Sequence, residues 1–144
     1  MLMTPVNQEI SMFETKQIIM VALGGALGSV ARYKLGGVVL HHSQTWNFPL
    51  STFCVNLVGC FIIGLLAAVV EHHDLFSMQT RLFLFTGLLG GFTTFSAFGY
   101  ETFFLLRRSL ISPSLLYAAL SLIGGLAAVS IGFKAIDLFW PSRH

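Results

Sequence analysis

The sequence predicts an all-α integral membrane fold with four transmembrane helices per subunit, the third broken near mid-membrane. Three observations predict it. Of the 144 residues, 55% are hydrophobic and only 10% are charged, whereas a soluble domain carries about 25% charged residues. The apolar residues gather into four runs, each reaching the roughly 20 residues that a spanning helix needs. The connections between runs are short and leave nothing for a soluble domain. One domain is therefore expected over residues 16–140. Residues 1–15 read as an extension expected to be disordered, and residues 141–144 as a C-terminal tail.

The first helix is expected at about 18–40, from Ile18 to Leu40, with Arg32 and Lys34 in its second half. The second, at about 50–70, runs from Leu50 to Val70 without a charge. The third, at about 82–106, holds one charge, Glu101. The fourth, at about 113–139, lies in an apolar run that starts at Ser109, is uncharged to Phe133 and continues to Trp140. Trp46, Trp140 and Tyr33 sit near expected ends, as interface anchors do. The connections fall around His41–Pro49, Glu71–Arg81 and Arg107–Pro113. The opening MLMTPVNQEIS has neither the basic region nor the small-residue cleavage site of a signal peptide. Met12 is a candidate alternative start.

Several function classes are disfavoured at this point. A net charge of +2, dispersed along the chain, does not suggest a nucleic-acid partner. Two histidine pairs, His41-His42 and His72-His73, fall where loops are expected. Adjacent residues do not share a helix face, so a metal site there is not expected. Cys54 and Cys60 project about 120° apart around one helix. A disulfide between them is not credible, and they read as small buried hydrophobes.

Basic residues balance across the two sides. Four spans put Lys16, Arg81, Lys134 and Arg143 on one side and Arg32, Lys34, Arg107 and Arg108 on the other. Orientation normally follows a Lys/Arg excess on the cytoplasmic side, and none exists here. Either a weak bias near the ends decides, or the chain inserts both ways and pairs as an inverted homodimer, a symmetry that other transporters build from inverted repeats. Four helices alone make a poor pore, which favours an oligomer. Gly24/Gly28, Gly87/Gly91, Ser121/Gly125 and Gly124/Ala128 are small-xxx-small pairs that let helices approach closely.

Polar residues inside the spans carry the functional signal. Asn56, in the middle of the second span, needs partners that hydrocarbon does not offer. It either glues the bundle or donates its amide to a passing anion. Thr52, four residues earlier, extends the polar stripe. In the third span, "GLLGGFTTFSAFGYE" places Gly90-Gly91 and Thr93-Thr94 in a run whose 25 residues would measure about 37 Å as a helix, longer than the ~30 Å hydrocarbon core. Either the helix stays intact with small residues at a tight crossing, or it breaks. Broken backbone at that depth must be buried in protein or line a cavity, and its freed carbonyls would suit a hard cation. Phe92, Phe95 and Phe98 follow at three-residue spacing, roughly on one face. They are either core packing or a row of positive ring edges along a lumen. Glu101 is either functional or a helix-end partner for a basic group. Ser114, Tyr117 and Ser121 form one polar face of the fourth span, with Tyr117 an alternative interface anchor.

"GGALGSVARY" (Gly24 to Tyr33), "PLSTFCVNLVGCFIIG" (Pro49 to Gly64) and "GLLGGFTTFSAF" (Gly87 to Phe98) resemble the signatures of the CrcB/Fluc fluoride channels. The resemblance spans all four helices, and the third motif is the most specific. It implies an antiparallel, dual-topology homodimer with two pores, in the cell inner membrane, exporting fluoride passively. By motif, it implies that Asn56 is the pore asparagine and that Phe95 and Phe98 are the aromatic pair of the anion path, with Ser96 between them. Glu101 would be the acidic residue after the phenylalanines, and Tyr117 and Ser121 the polar track of the fourth helix. Gly90 and Thr93 would give backbone carbonyls to a structural Na⁺ on the dimer axis. Gly125 stands where relatives can carry a hydroxyl, so that track is expected to be shorter here. The residues alone reach a small oligomeric ion pathway with a broken helix; fluoride comes from the resemblance. The alternatives are a small dual-topology multidrug exporter, which relies on a carboxylate absent from this first span, and a non-transporting assembly subunit. An enzyme is the least expected, since the spans hold no paired carboxylates and no nucleophile–His pair.

Overall fold

The computed structural model describes residues 5–43, 48–73 and 75–140. Helices α1 (Pro5–Ser43) and α2 (Leu50–His73) come first. A composite third unit follows: α3 (Met78–Arg81), a π-helical stretch (Leu82–Leu89), α4 (Gly90–Phe92) and α5 (Phe95–Arg107). Helix α6 (Ile111–Phe139) completes the chain. Four stretches are long and apolar enough to cross a membrane: Met12–His42, Leu50–His73, Met78–Arg107 and Ile111–Phe139. The expected four-span, all-helical, multi-pass architecture is therefore present, and the expected break falls at Thr93-Thr94.

Several boundaries differ from the sequence reading. Helix α1 begins at Pro5, so residues 5–15 are helical and not disordered. Proline suits the first helical turn because its φ is already set and its missing N–H is not needed there. No glycine or proline then interrupts residues 6–23. The histidine pairs sit in the last turns of α1 and α2 and not in loops. His72 Nε2 lies 2.7 Å from Asp137 Oδ1, and His73 stacks on Trp140 with centroids 4.1 Å apart. Helix α3 starts four residues before the expected third span, at a Ser77 cap whose Oγ accepts from Thr80 N at 3.2 Å. The expected anchor Trp46, the basic residue Arg143 and the tail 141–144 lie outside the described residues.

Two glycine seams fix the packing. Along the first, α1 lies on the π-helical stretch and α4. A Cβ on Gly28 would collide with the Leu88 carbonyl and come 2.8 Å from Phe92 N, and one on Gly87 would come 2.9 Å from Gly24 Cα. The two GxxxG pairs therefore interlock with each other. Along the second seam, α2 lies on α6: Gly64 meets the Val129 backbone and Gly132 the Phe61 backbone. Val55 and Ala68 of α2 are fully buried. Ser51 Oγ donates to Gly36 O at 3.0 Å and ties α1 to the start of α2. Between the seams stands the broken unit, with α5 held to α6 by Ser114 Oγ donating to Thr102 O at 3.1 Å.

Gly28→Leu should disrupt the first seam. Overpacking of this kind costs about 1–3 kcal/mol or more, so the thermal midpoint of the purified protein should fall by several degrees or the protein should fail to assemble. Gly37→Ala, whose new methyl meets nothing within 4 Å, should melt no lower than the parent.

Candidate functional site

The break is local, and the amides on either side of it are paired. Thr93 closes the first half, its N–H and its Oγ1 both donating to Leu89 O at 2.9 Å. Thr93 (φ −84°, ψ 157°) and Thr94 (φ −149°, ψ 109°) are then extended. Thr94 caps α5, its Oγ1 accepting from Ala97 N at 3.3 Å, in the manner of an N-cap threonine. The backbone of Thr94 pairs with Asn56: Thr94 N donates to Asn56 Oδ1 at 2.9 Å, and Asn56 Nδ2 donates to Thr94 O at 3.3 Å. The gluing reading of Asn56 is met by these two bonds. It glues two elements, and an NH₂ has two donors, so a second hydrogen remains for the cavity that it lines.

That cavity measures about 430 Å³ and is mainly apolar. Asn56, Thr93, Thr94, Phe95, Phe98 and Ser121 lie on its wall, with Gly59, Cys60, Gly90 and several aliphatic side chains. Phe95 is 84% exposed. Its ring stands 5.6 Å from Phe98, and Phe98 stands 5.2 Å from Tyr117. Phe92 does not join this row. The two extended residues shift the helical phase, and Phe92 is buried on the other side of the break, next to Gly59.

Among the described residues, Glu101 makes no salt bridge and is held by hydroxyl donors. Thr52 Oγ1 donates to its Oε1 at 2.6 Å, and Tyr117 OH donates to its Oε2 at 2.8 Å. Tyr117 is fully buried, so it is not an interface anchor. The clamp joins α2, α5 and α6 behind the Phe98–Tyr117 contact. Gly125 packs toward Cys60 Sγ. Ser96 is exposed, with its hydroxyl 3.3 Å from Thr94 Oγ1.

Of the residues singled out from sequence, Asn56, Phe95, Phe98, Ser121, Gly90 and Thr93 meet at one cavity. Thr52, Glu101 and Tyr117 form the buried network beside it. Thr52 also lines a second cavity of about 410 Å³, with Ser29, Arg32, Ser51 and Thr94. Thr94 borders both cavities. Arg32 was read only as a topological charge. A basic side chain within a span is itself a functional signal, and that signal was available. Gly90 is exposed beside the break, and the groups that it and Thr93 would offer a hard cation are backbone carbonyl oxygens.

The family model described as CrcB-like protein, Camphor Resistance (CrcB), matches residues 19–133. Among curated relatives, a protein of Methylobacillus flagellatus is 48% identical over 122 residues, covering 85% of this chain and 95% of its own length. One of Chloroflexus aurantiacus is 46% identical over 117 residues, covering 80% and 90%. One of Thermus thermophilus is 46% identical over 119 residues, covering 83% and 94%. All three are named fluoride-specific ion channel FluC. Residues 19–133 take in the break, Asn56, the phenylalanine pair and the Glu101 clamp, and this chain belongs to the CrcB family.

Proposed function

We propose that this chain is a fluoride-specific channel that lets fluoride leave the cell passively across the inner membrane. The observation that carries the reading is the meeting of Asn56, Phe95, Phe98 and Ser121 at one cavity, in a chain whose relatives bear that name over nearly their whole length. Fluoride is small and strongly hydrated, so shedding water is its main barrier. The free amide hydrogen of Asn56, the Ser121 hydroxyl and the positive ring edges replace part of that water. No Lys or Arg lines this cavity among the described residues, so an entering ion is held weakly enough to leave.

The working unit in this reading is an antiparallel homodimer. The balanced basic residues support it, and so does the exposed flank of the break. Phe95 and Gly90 stand open on a single chain, whereas interrupted backbone at membrane depth needs protein cover or an aqueous cavity. Gly90 and Thr93 from each subunit would hold one Na⁺ through their carbonyl oxygens. The ion would supply positive charge that fastens the two subunits together and would not itself be transported.

Fluoride efflux from liposomes tests the pathway. Phe95→Ile and Phe98→Ile should each cut efflux at least about tenfold while the size-exclusion profile stays dimeric. Asn56→Asp should abolish efflux by charge repulsion. A hydrogen bond to an ion is worth about 1.5–3 kcal/mol, so one to two decades is the expected scale. Phe103→Ile, on the exposed outer face of α5, should conduct like the parent. Parent-like efflux in both ring variants would reduce the phenylalanines to packing. Two or three arginines added at one end should lock the orientation and impair a chain expressed alone, and mixing oppositely locked chains should restore flux. A single locked chain that works normally would sink the inverted dimer. Exchanging Na⁺ for N-methylglucamine should lower the thermal midpoint of the dimer; an unchanged midpoint would remove the structural ion.

A further inference from the structure

The Asn56 side chain copies the edge of a peptide. Its Oδ1 takes the Thr94 N–H at 2.9 Å and its Nδ2 gives a hydrogen to Thr94 O at 3.3 Å, as a neighbouring strand would. In an unbroken helix the Thr94 N–H would go to the carbonyl four residues earlier, which is that of Gly90. Diverting the amide to Asn56 therefore leaves the Gly90 oxygen without its helical donor. Helix α2 contributes a second element one turn on. A Cβ on Gly59 would overlap Thr93 Cγ2, so the bare glycine makes the room into which the extended residues swing. Thr93 cannot substitute for Asn56, because its own N–H and hydroxyl are both committed to Leu89 O.

We propose that Asn56 is the positioning residue that locks the helix break and thereby creates the free oxygen at Gly90, so that one side chain sets both the anion cavity and the cation site. The coupling to the cation rests on the Na⁺ reading above; the lock does not. Asn56 acts on Gly90 only through Thr94. Its removal leaves the half-buried Thr94 amide unpaired and weakens a site that it does not touch.

The test uses the full-length protein in lipid nanodiscs, as parent, Asn56→Leu, Asn56→Ala and Asn56→Asp. Deuterium uptake resolved at the Thr94 amide reads the lock. A lost hydrogen bond to a buried group should speed exchange at least about tenfold in the Leu and Ala variants. Asn56→Asp keeps an acceptor oxygen for that amide and should exchange like the parent even though its flux is lost. The second readout is the Na⁺ concentration that half-maximally raises the thermal midpoint. It should rise at least about tenfold in Leu and Ala, and Asn56→Asp should retain the response. Parent-like exchange at Thr94 in both apolar variants overturns the lock. Faster exchange with unaltered Na⁺ response overturns the coupling. A parent whose midpoint ignores Na⁺ overturns the cation reading and the coupling together, and the exchange rates then decide the lock alone.

Discussion

A helix can be interrupted inside hydrocarbon only if something else takes the amides that the interruption frees. In this chain that something is one carboxamide. Asn56 pairs with both backbone polar groups of Thr94, and the rest of the site follows from that pairing. Two extended residues re-phase the helix, so Phe92 points into the packed side while Phe95 and Phe98 turn to the cavity. The second half of the unit starts afresh as α5, capped by the Thr94 hydroxyl. Without a partner on α2 of this length and with both a donor and an acceptor, the Thr-Thr pair would leave backbone groups unsatisfied, and an intact helix would be the better solution.

The two glycine seams explain why the break stays in register with that partner. Helix α2 is clamped to α6 where Gly64 and Gly132 meet opposing backbone, and α1 is clamped to the π-helical stretch at Gly24, Gly28 and Gly87. Each seam holds one wall of the broken unit. The Glu101 clamp closes the third side by taking one hydroxyl from α2 and one from α6. The carboxylate thus serves as a bracket among three elements. Its oxygens meet hydroxyl donors and do not lie on the cavity wall.

Much of this was legible in the sequence, because membrane spans are set by composition and length. The break was legible too, since Gly-Gly and Thr-Thr are poor helix interior in an overlong run. What could not be read was phase. Three-residue spacing puts Phe92, Phe95 and Phe98 on one face only if the helix is continuous, and the break that was expected already cancels that condition for Phe92. The partner of Glu101 was also hidden. Thr52 was seen as a neighbour of Asn56 on one helix, yet it turns to Glu101, 49 residues away in sequence, and only the tertiary arrangement chooses between those faces. The helical reading of residues 5–15 was missed because apolar run length defines where a membrane span starts, not where its helix does.

The placement of charge completes the argument. At an effective dielectric of about 20, a full positive charge 4 Å from an anion contributes about 4 kcal/mol. A single neutral donor contributes less, and each 1.4 kcal/mol of added binding slows release about tenfold if entry is unchanged. A lysine beside Phe98 would therefore trade passage for retention. Arg32 lies on the second cavity, and the first has no Lys or Arg among its described lining residues. The first cavity is left with an amide, hydroxyls and ring edges. In the proposed channel each would be too weak to trap an ion alone, and together they would offset part of a lost hydration shell. The same Asn56–Thr94 pairing that permits the break therefore also fixes the one residue that the two cavities share among their described lining residues.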